Sequence, residues 1–422
     1  MLFRAKAWQG GWSVRVLFFL AFLFWSLGCS LAGAELRLEV TGAELVKIPV
    51  AIPDFEGPSP LAQELAQVAR NDLELQLVFK VLGEGLSLKE TKLFSSLGVN
   101  YLVSGRLFPA GNYLRLEFYL ADVIQDKVLL SRGYRGPRAS GRYMVHRFLD
   151  EAVRQMTGAP GVALSRVAFV RRKRGGDALI VQDFDGYRAV IVASKEGLVL
   201  YPRLSPDGRL LAFVTYQTRR PEIHVLDLAT GKRWVLCRYP GLNSAPVWHP
   251  SGDKLVVTLS KDGSLDLYLV DLKGRILRRL THGEGVNTGG SFSPDGTELA
   301  FVSDRGGSPQ IYILNLATGG VRRLTFHGKY NAWPSWSPTG DRIVYAGLIN
   351  GQFDLFTIDP EGGDPVRITN EGGFEAPCFA PNGRLILAQG RGGLYLVLAN
   401  GASKTLYRPG KRLLFPTWAR LR

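Results

Sequence analysis

Apolar and polar positions repeat along the second half of the chain at a fixed spacing. Leu211-Ala212-Phe213-Val214, Leu255-Val256-Val257-Thr258, Leu299-Ala300-Phe301-Val302, Ile343-Val344-Tyr345-Ala346 and Leu385-Ile386-Leu387-Ala388 are short β-rich runs. Each follows one kind of turn: Leu204-Ser205-Pro206-Asp207-Gly208, Trp248-His249-Pro250-Ser251-Gly252, Phe292-Ser293-Pro294-Asp295-Gly296, Trp336-Ser337-Pro338-Thr339-Gly340 and Phe379-Ala380-Pro381-Asn382-Gly383. Proline presets such a turn and glycine closes it. The five prolines lie 44, 44, 44 and 43 residues apart. A further strand begins sixteen residues past each of the first four, at Glu222, Asp266, Gln310 and Asp354, and a fourth ends the unit, as in Arg322-Arg323-Leu324-Thr325 and Val366-Arg367-Ile368-Thr369.

Four strands in a tandem unit of this length predict β-propeller blades. Phe415-Pro416-Thr417-Trp418 repeats the opening strand of a unit (compare Ala245-Pro246-Val247-Trp248), and Val167-Ala168-Phe169-Val170, Ala178 to Phe184 and Tyr187 to Ala193 supply three more strands upstream. A sixth blade is therefore shared by both ends of the repeat, which closes the ring and removes its sheet edges. Residues 164 to 422 predict an all-β, six-bladed propeller of WD40-like (PD40) repeats.

Residues 35 to 163 lack the repeat and predict an α/β N-terminal domain. Pro58 to Leu73, Ser87 to Leu97 and Arg142 to Met156 read as helices, the last with Val145, Phe148, Leu149, Ala152 and Met156 on one face. Gln76 to Leu82 and Tyr101 to Phe108 read as extended. Leu114, Leu116, Phe118 and Leu120 alternate with Arg115, Glu117 and Tyr119 as in a strand buried on one face, with Val128 to Tyr134 as its hairpin partner. Thr157 to Gly161 is a linker by composition. Glu35 to Val40 reads as a short strand without a partner, a mobile arm.

Ahead of the arm, Arg4, Lys6 and Arg15 precede the uncharged run Val16 to Gly28. As a helix that run spans about 20 Å, short of a roughly 30 Å hydrocarbon core. Residues 1 to 34 thus read as a signal peptide cleaved after Ala34, with lipidation at Cys29 as the competing outcome. Export without a spanning segment points to the periplasm. Only Cys237 and Cys378 then remain, too few for a disulfide framework.

The 422 residues carry 52 Lys and Arg against 37 Asp and Glu, a net +15. Such a charge invites a nucleic-acid reading. Its distribution argues otherwise: +3 falls in residues 1 to 34, zero in 35 to 163 and +12 in the propeller, much of it at blade edges such as Arg278-Arg279 and Arg322-Arg323. Arg171-Arg172-Lys173-Arg174 reads as a solvated loop. No stripe of stacking aromatics runs beside these charges, so nucleic acid is not the expected partner.

One polar column stands out. Asn243, Asn287 and Asn331 each lie seven residues before a turn proline and are followed by Ser244, Thr288 and Ala332, with Phe374 and Glu375 at the equivalent place in the fifth unit. This phase falls at the start of the innermost strand, at one mouth of the central channel. It reads either as a ring that hydrogen-bonds a partner or as local capping by asparagine. On the first reading, replacing Asn287 and Thr288 with Ala weakens partner binding and leaves thermal stability nearly unchanged. The repeating aromatics Trp248, Phe292, Trp336, Phe379 and Trp418 read as packing between blades.

An exported α/β domain followed by a six-bladed propeller resembles the TolB family. The resemblance rests on the domain order, the junction Met156-Thr157-Gly158 leading to Arg166-Val167-Ala168-Phe169-Val170, and the series of turns, which departs from Ser-Pro-Asp-Gly at Ser251, Thr339 and Asn382. It implies a monomeric, non-enzymatic periplasmic adaptor without cofactor or metal, acting in outer-membrane integrity and cell division. The propeller mouth (Asn243, Ser244, Asn287, Thr288, Asn331, Ala332, Glu375) would bind the lipoprotein Pal, with other outer-membrane lipoproteins as a further class of partner. The arm (Glu35, Leu36, Arg37, Leu38, Glu39, Val40) would bind TolA. Five histidines without metal-binding spacing and the lack of a Gly-x-Ser-x-Gly elbow offer no local signature of catalysis. The alternative is a secreted peptidase-like or glycan-acting propeller whose site assembles across the channel.

Overall fold

The computed structural model describes residues 45–58, 60–85, 96–194 and 197–421. The predicted leader, the predicted Glu35 to Val40 arm and most of the predicted Ser87 to Leu97 helix lie outside these residues.

The N-terminal part holds five strands, β1 (Ile48–Ala51), β2 (Phe79–Leu82), β3 (Tyr101–Ala110), β4 (Tyr113–Asp122) and β5 (Lys127–Pro137), in the order β2-β1-β3-β4-β5. β1 runs parallel to both neighbours and β3, β4 and β5 form an antiparallel meander. Two helices, α1 (Leu61–Glu74) and α2 (Gly141–Thr157), cover this sheet. Leu114, Leu116, Phe118 and Leu120 are each fully buried, as their alternation predicts. Phe148 of α2 stacks on Phe118 with ring centroids 4.9 Å apart, a contact whose loss to alanine costs about 3–5 kcal/mol. β1 was not predicted. Its Val50 and Ala51 are wholly buried in the middle of a parallel ladder, where no polar face exists to produce alternation.

Six four-stranded sheets follow, each beginning with an innermost strand: Val199–Leu204, Asn243–Trp248, Asn287–Phe292, Asn331–Trp336, Glu375–Phe379 and Leu413–Arg420. The last of these pairs with Ser165–Arg171, so the sixth blade is built from both ends of the repeat. Trp418 fastens this closure, donating from its indole to Ser165 Oγ at 2.7 Å and stacking on Phe184 at 5.0 Å.

The turns work as the sequence suggests. Ser205 Oγ accepts from Leu210 N at 2.8 Å, and Asp207 accepts from Arg209 N at 3.0 Å. All five turn glycines sit at φ between 69° and 81°, where a β-carbon is strained. At the positions that depart from the pattern, Thr339 Oγ1 donates to Asp341 and Asn382 Oδ1 accepts from Arg384 N, so the local bonding survives.

The helical layer docks on the turn side of the ring, against the fifth and sixth blades. Leu77, after α1, joins the buried cluster of Ala380, Leu385 and Leu398. Arg384 donates to Thr157 O at 2.6 Å. Asp150 of α2 accepts from Ala163 N and Leu164 N at 2.8 and 3.2 Å, which fixes the entry into the sixth blade. Burial outweighs those donors and pushes the Asp150 carboxyl up to about 6. Deeper in the same contact, His146 Nδ1 meets Asp72 at 2.6 Å, its Nε2 lies 3.6 Å from Asp185 of the propeller, and Arg142 pairs with Asp185.

Candidate partner-binding mouth of the propeller

Each innermost strand carries a bulge. Tyr201, Ala245, Gly289, Trp333, Ala376 and Phe415 have φ between 46° and 62°, and ladder register shifts beside them in every blade. In five blades a proline follows: Pro202, Pro246, Pro334, Pro377 and Pro416. A bulge turns successive side chains out of strict alternation. The half of the strand before it serves one mouth, and the half after it serves the other.

Before the bulge, the asparagines point into their own blades. Asn243, Asn287 and Asn331 are at most 2% exposed. Asn243 accepts from Tyr239 N at 2.9 Å and donates to Tyr239 O at 2.7 Å. Asn287 Nδ2 donates to Asp266 at 3.1 Å, and its oxygen accepts from Arg305 at 2.9 Å. Asn331 Nδ2 donates to Gln310 at 2.7 Å and to His327 O at 2.7 Å. The amides expected to face a partner are thus committed inside the protein. A buried amide must find local partners: Asn243 finds them in the loop before its strand, and Asn287 and Asn331 each find one on the third strand, in Asp266 and Gln310.

Asp266 and Gln310 belong to a network repeated from blade to blade. Asp266 and Gln310 open the third strands of two consecutive blades, Asp354 lies near the start of the third strand in the next, and all three are buried. Thr281, Thr325 and Thr369 donate to them at 2.7, 2.7 and 2.8 Å. Arg279 and Arg367 pair with Asp266 and Asp354, each at 2.6 Å. Burial alone would raise the pKa of Asp266, but Ser264, Thr281, Arg279 and the Gly283 N–H together hold it at about 2. The signal was present as Arg279-Leu280-Thr281, Arg323-Leu324-Thr325 and Arg367-Ile368-Thr369. Arg279 and Arg367 therefore turn inward to buried carboxylates instead of adding to the charge of the blade edge.

Around the mouth itself, the residue preceding each innermost strand is apolar: Leu198, Leu242, Val286 and Tyr330 in the first four blades. Leu198, Val286 and Tyr330 are 37%, 41% and 38% exposed, a collar above the buried asparagines. Ser244 and Ala332 are buried below it, and Thr288 is partly exposed and shares a 3.3 Å hydrogen bond with Thr258 of the preceding blade. Glu375 is partly exposed, with its carboxyl raised by burial while accepting from Gln389 at 2.8 Å. Leu198, Leu242, Val286 and Tyr330 carry no sequence signal of their own, because a single apolar residue ahead of a strand is indistinguishable from core.

Burial pushes the thiols of Cys237 and Cys378 up to about 12. Among the described residues no helix is long and apolar enough to cross a membrane.

These features define a six-bladed propeller joined to an α/β domain, with an apolar-rimmed mouth on the face away from that domain. The chain matches the family profile described as TolB beta propeller domain over residues 153–422 and that described as TolB amino-terminal domain over residues 36–129. It belongs to the TolB family. The Tol-Pal system protein TolB of Desulfosudis oleivorans is 32% identical over 262 residues, covering 58% of this chain and 60% of that protein. Its counterpart in Aromatoleum aromaticum is 36% identical over 221 residues, covering 51% and 52%. The chain thus matches about three fifths or less of the length of these curated relatives. The crystal structure of TolB from Acinetobacter baumannii superposes with a TM-score of 0.80 at 28% identity, covering 90% of this chain and 98% of that one.

Proposed function

We propose that this protein is a periplasmic, non-enzymatic component of a Tol-Pal system that binds the lipoprotein Pal at the apolar-rimmed mouth and TolA through residues 35 to 40. The observation that carries the reading is the collar of Leu198, Leu242, Val286 and Tyr330 on the face opposite the α/β domain. Exposed apolar side chains gathered on one surface mark an interaction site. The rigid network beneath holds that surface in one shape before the partner arrives, which limits the ordering cost of association. Thr288 and Glu375 are the polar groups of the original column that remain partly exposed. They supply orientation, and the three asparagines act by positioning the strand starts. The positive propeller adds long-range attraction for an acidic partner or an anionic envelope surface.

Val286→Ser combined with Leu198→Ser tests the reading in a titration with purified Pal. The expected result is a drop in affinity of tenfold or more with an unchanged melting temperature. Unaltered affinity sinks the assignment. For the arm, deletion of residues 35 to 40 is expected to abolish TolA capture and leave Pal binding at its original strength or shifted in proportion, since coupling between two sites is reciprocal. Intact TolA capture removes the arm from the mechanism.

A further inference from the structure

At the other end of the channel, beyond the bulges, lies a cavity of about 510 Å³. Trp248, Phe292, Trp336, Phe379 and Trp418 form its aromatic wall. No aspartate or glutamate lines it, whereas Arg203 and the exposed Arg420 do. Arg203 occupies the second position after the bulge in the first blade. The equivalent residues are Val247, Ser291, Ser335, Cys378 and Thr417.

Three of these hydroxyls act as acceptors between blades. Ser291 Oγ accepts from Trp336 N at 2.9 Å, Ser335 Oγ from Phe379 N at 3.2 Å and Thr417 Oγ1 from Leu204 N at 3.3 Å. A hydroxyl that accepts still has its own proton to donate. The side chain of Arg203 makes one hydrogen bond, from Nη1 to Pro202 O at 3.2 Å, and among the described residues no carboxylate pairs with it. Its pKa is lowered from the ordinary arginine value, by burial first of all. Each hydroxyl of this ring can still donate to a guest, and the ring's one charged side chain is the partly buried cation of Arg203. A cation held away from water without a counter-ion costs stability, so its presence at this position calls for a ligand.

We propose that this cavity binds a carboxylate attached to an apolar group, the guanidinium of Arg203 engaging both carboxylate oxygens and the tryptophan and phenylalanine rings holding the apolar part. A single planar fork matches the two oxygens of a carboxylate. A free phosphate would leave the aromatic wall without contacts. The chain end of a peptide with an apolar last residue has this chemistry, as does a small aromatic acid. The site lies at the opposite mouth from the Pal surface proposed above, so either reading can fail without the other.

The full chain is titrated with N-acetylphenylalanine, its neutral amide, and inorganic phosphate, read by the fluorescence of the tryptophans that line the cavity. Saturable binding of the acid, at least tenfold weaker binding of the amide, and no matching response to phosphate are expected. Arg203→Gln should weaken the acid at least tenfold. Equal binding of acid and amide, a phosphate response as strong as that of the acid, or unaltered binding by Arg203→Gln overturns the proposal. Thermal unfolding of Arg203→Met gives an independent check: a melting temperature at or above that of the parent chain agrees with an uncompensated cation, and a fall of several degrees shows that Arg203 serves the fold instead.

Discussion

The imidazole of His146 stands 2.6 Å from the carboxylate of Asp72, with both side chains almost wholly buried. The same ring lies 3.6 Å from Asp185, so one histidine on α2 links a helix of the α/β domain to a hairpin of the propeller. Burial works against the charged ring, but Asp72 and then Asp185 outweigh it and raise the pKa above the ordinary 6.5. Arg142, Asp150 and Asp183 also face this cluster.

A raised histidine pKa fixes the direction of the pH response. The stability supplied by the charged ring is complete below pH 6.5 and is lost as the pH climbs through the raised value. His146→Gln should therefore destabilise the protein most in mild acid, by about 3 kcal/mol, because removing one member of a buried charge cluster leaves the others uncompensated. The difference in melting temperature between parent and variant should shrink toward alkaline pH. A difference that does not vary with pH contradicts the assignment of a charged ring.

Asp266 behaves in the opposite sense. Its carboxyl is held at about 2, against 3.8 for an ordinary aspartate, so its stabilisation is present above the ordinary value and is lost as pH falls toward 2. Asp266→Asn should unfold at a higher pH in an acid titration followed by circular dichroism, and the two curves should converge near pH 2. Coincident curves throughout rule out Asp266 as an ionised anchor of the blade.

Asn287 and Val286 are neighbours with different expected phenotypes. Asn287→Ala removes hydrogen bonds from the buried Asp266 and the partly buried Arg305, a loss of about 1–3 kcal/mol. Val286→Ser removes part of an exposed rim and should change stability by no more than about 0.5 kcal/mol. Denaturant titrations of the two variants, beside Pal affinity, separate positioning from contact. This revises the sequence-based expectation that the Asn287 and Thr288 pair can be replaced at nearly unchanged stability.

Gly161 tests the junction. A β-carbon there would lie 2.4 Å from Asp150 Oδ1 and 2.9 Å from its Cα. Gly161→Ala should cost about 1–3 kcal/mol through overpacking and make the Leu164–Ser165 region more accessible to limited proteolysis. A fully tolerated alanine shows that α2 and the first propeller strand do not meet as tightly as described.

The propeller was legible because its signal is local and repeated. A proline and a glycine at fixed places in each turn act through their own backbone angles, whatever surrounds them. The site was only half legible. Spacing placed Asn243, Asn287 and Asn331 at the strand starts, but it does not say which way a side chain points once Ala245, Gly289 or Trp333 adopts a positive φ and breaks the alternation. The inward pull of Arg279 on Asp266 was hidden for another reason: the two residues are thirteen apart in sequence and meet across neighbouring strands. β1 stayed hidden because a strand buried on both faces has no polar half to betray it.

The pairing of Leu413–Arg420 with Ser165–Arg171 also imposes an order of events on biosynthesis. A ribosome makes Ser165–Arg171 almost 250 residues before the strand that completes its sheet. Until then the nascent ring has an open seam with a strand edge on one side, the kind of edge that recruits other chains. Closure must wait for the last-made strand of the ring, so a late stop codon or a frameshift near residue 413 does the same harm as deleting the first blade strand: it leaves five blades and an unfinished sixth.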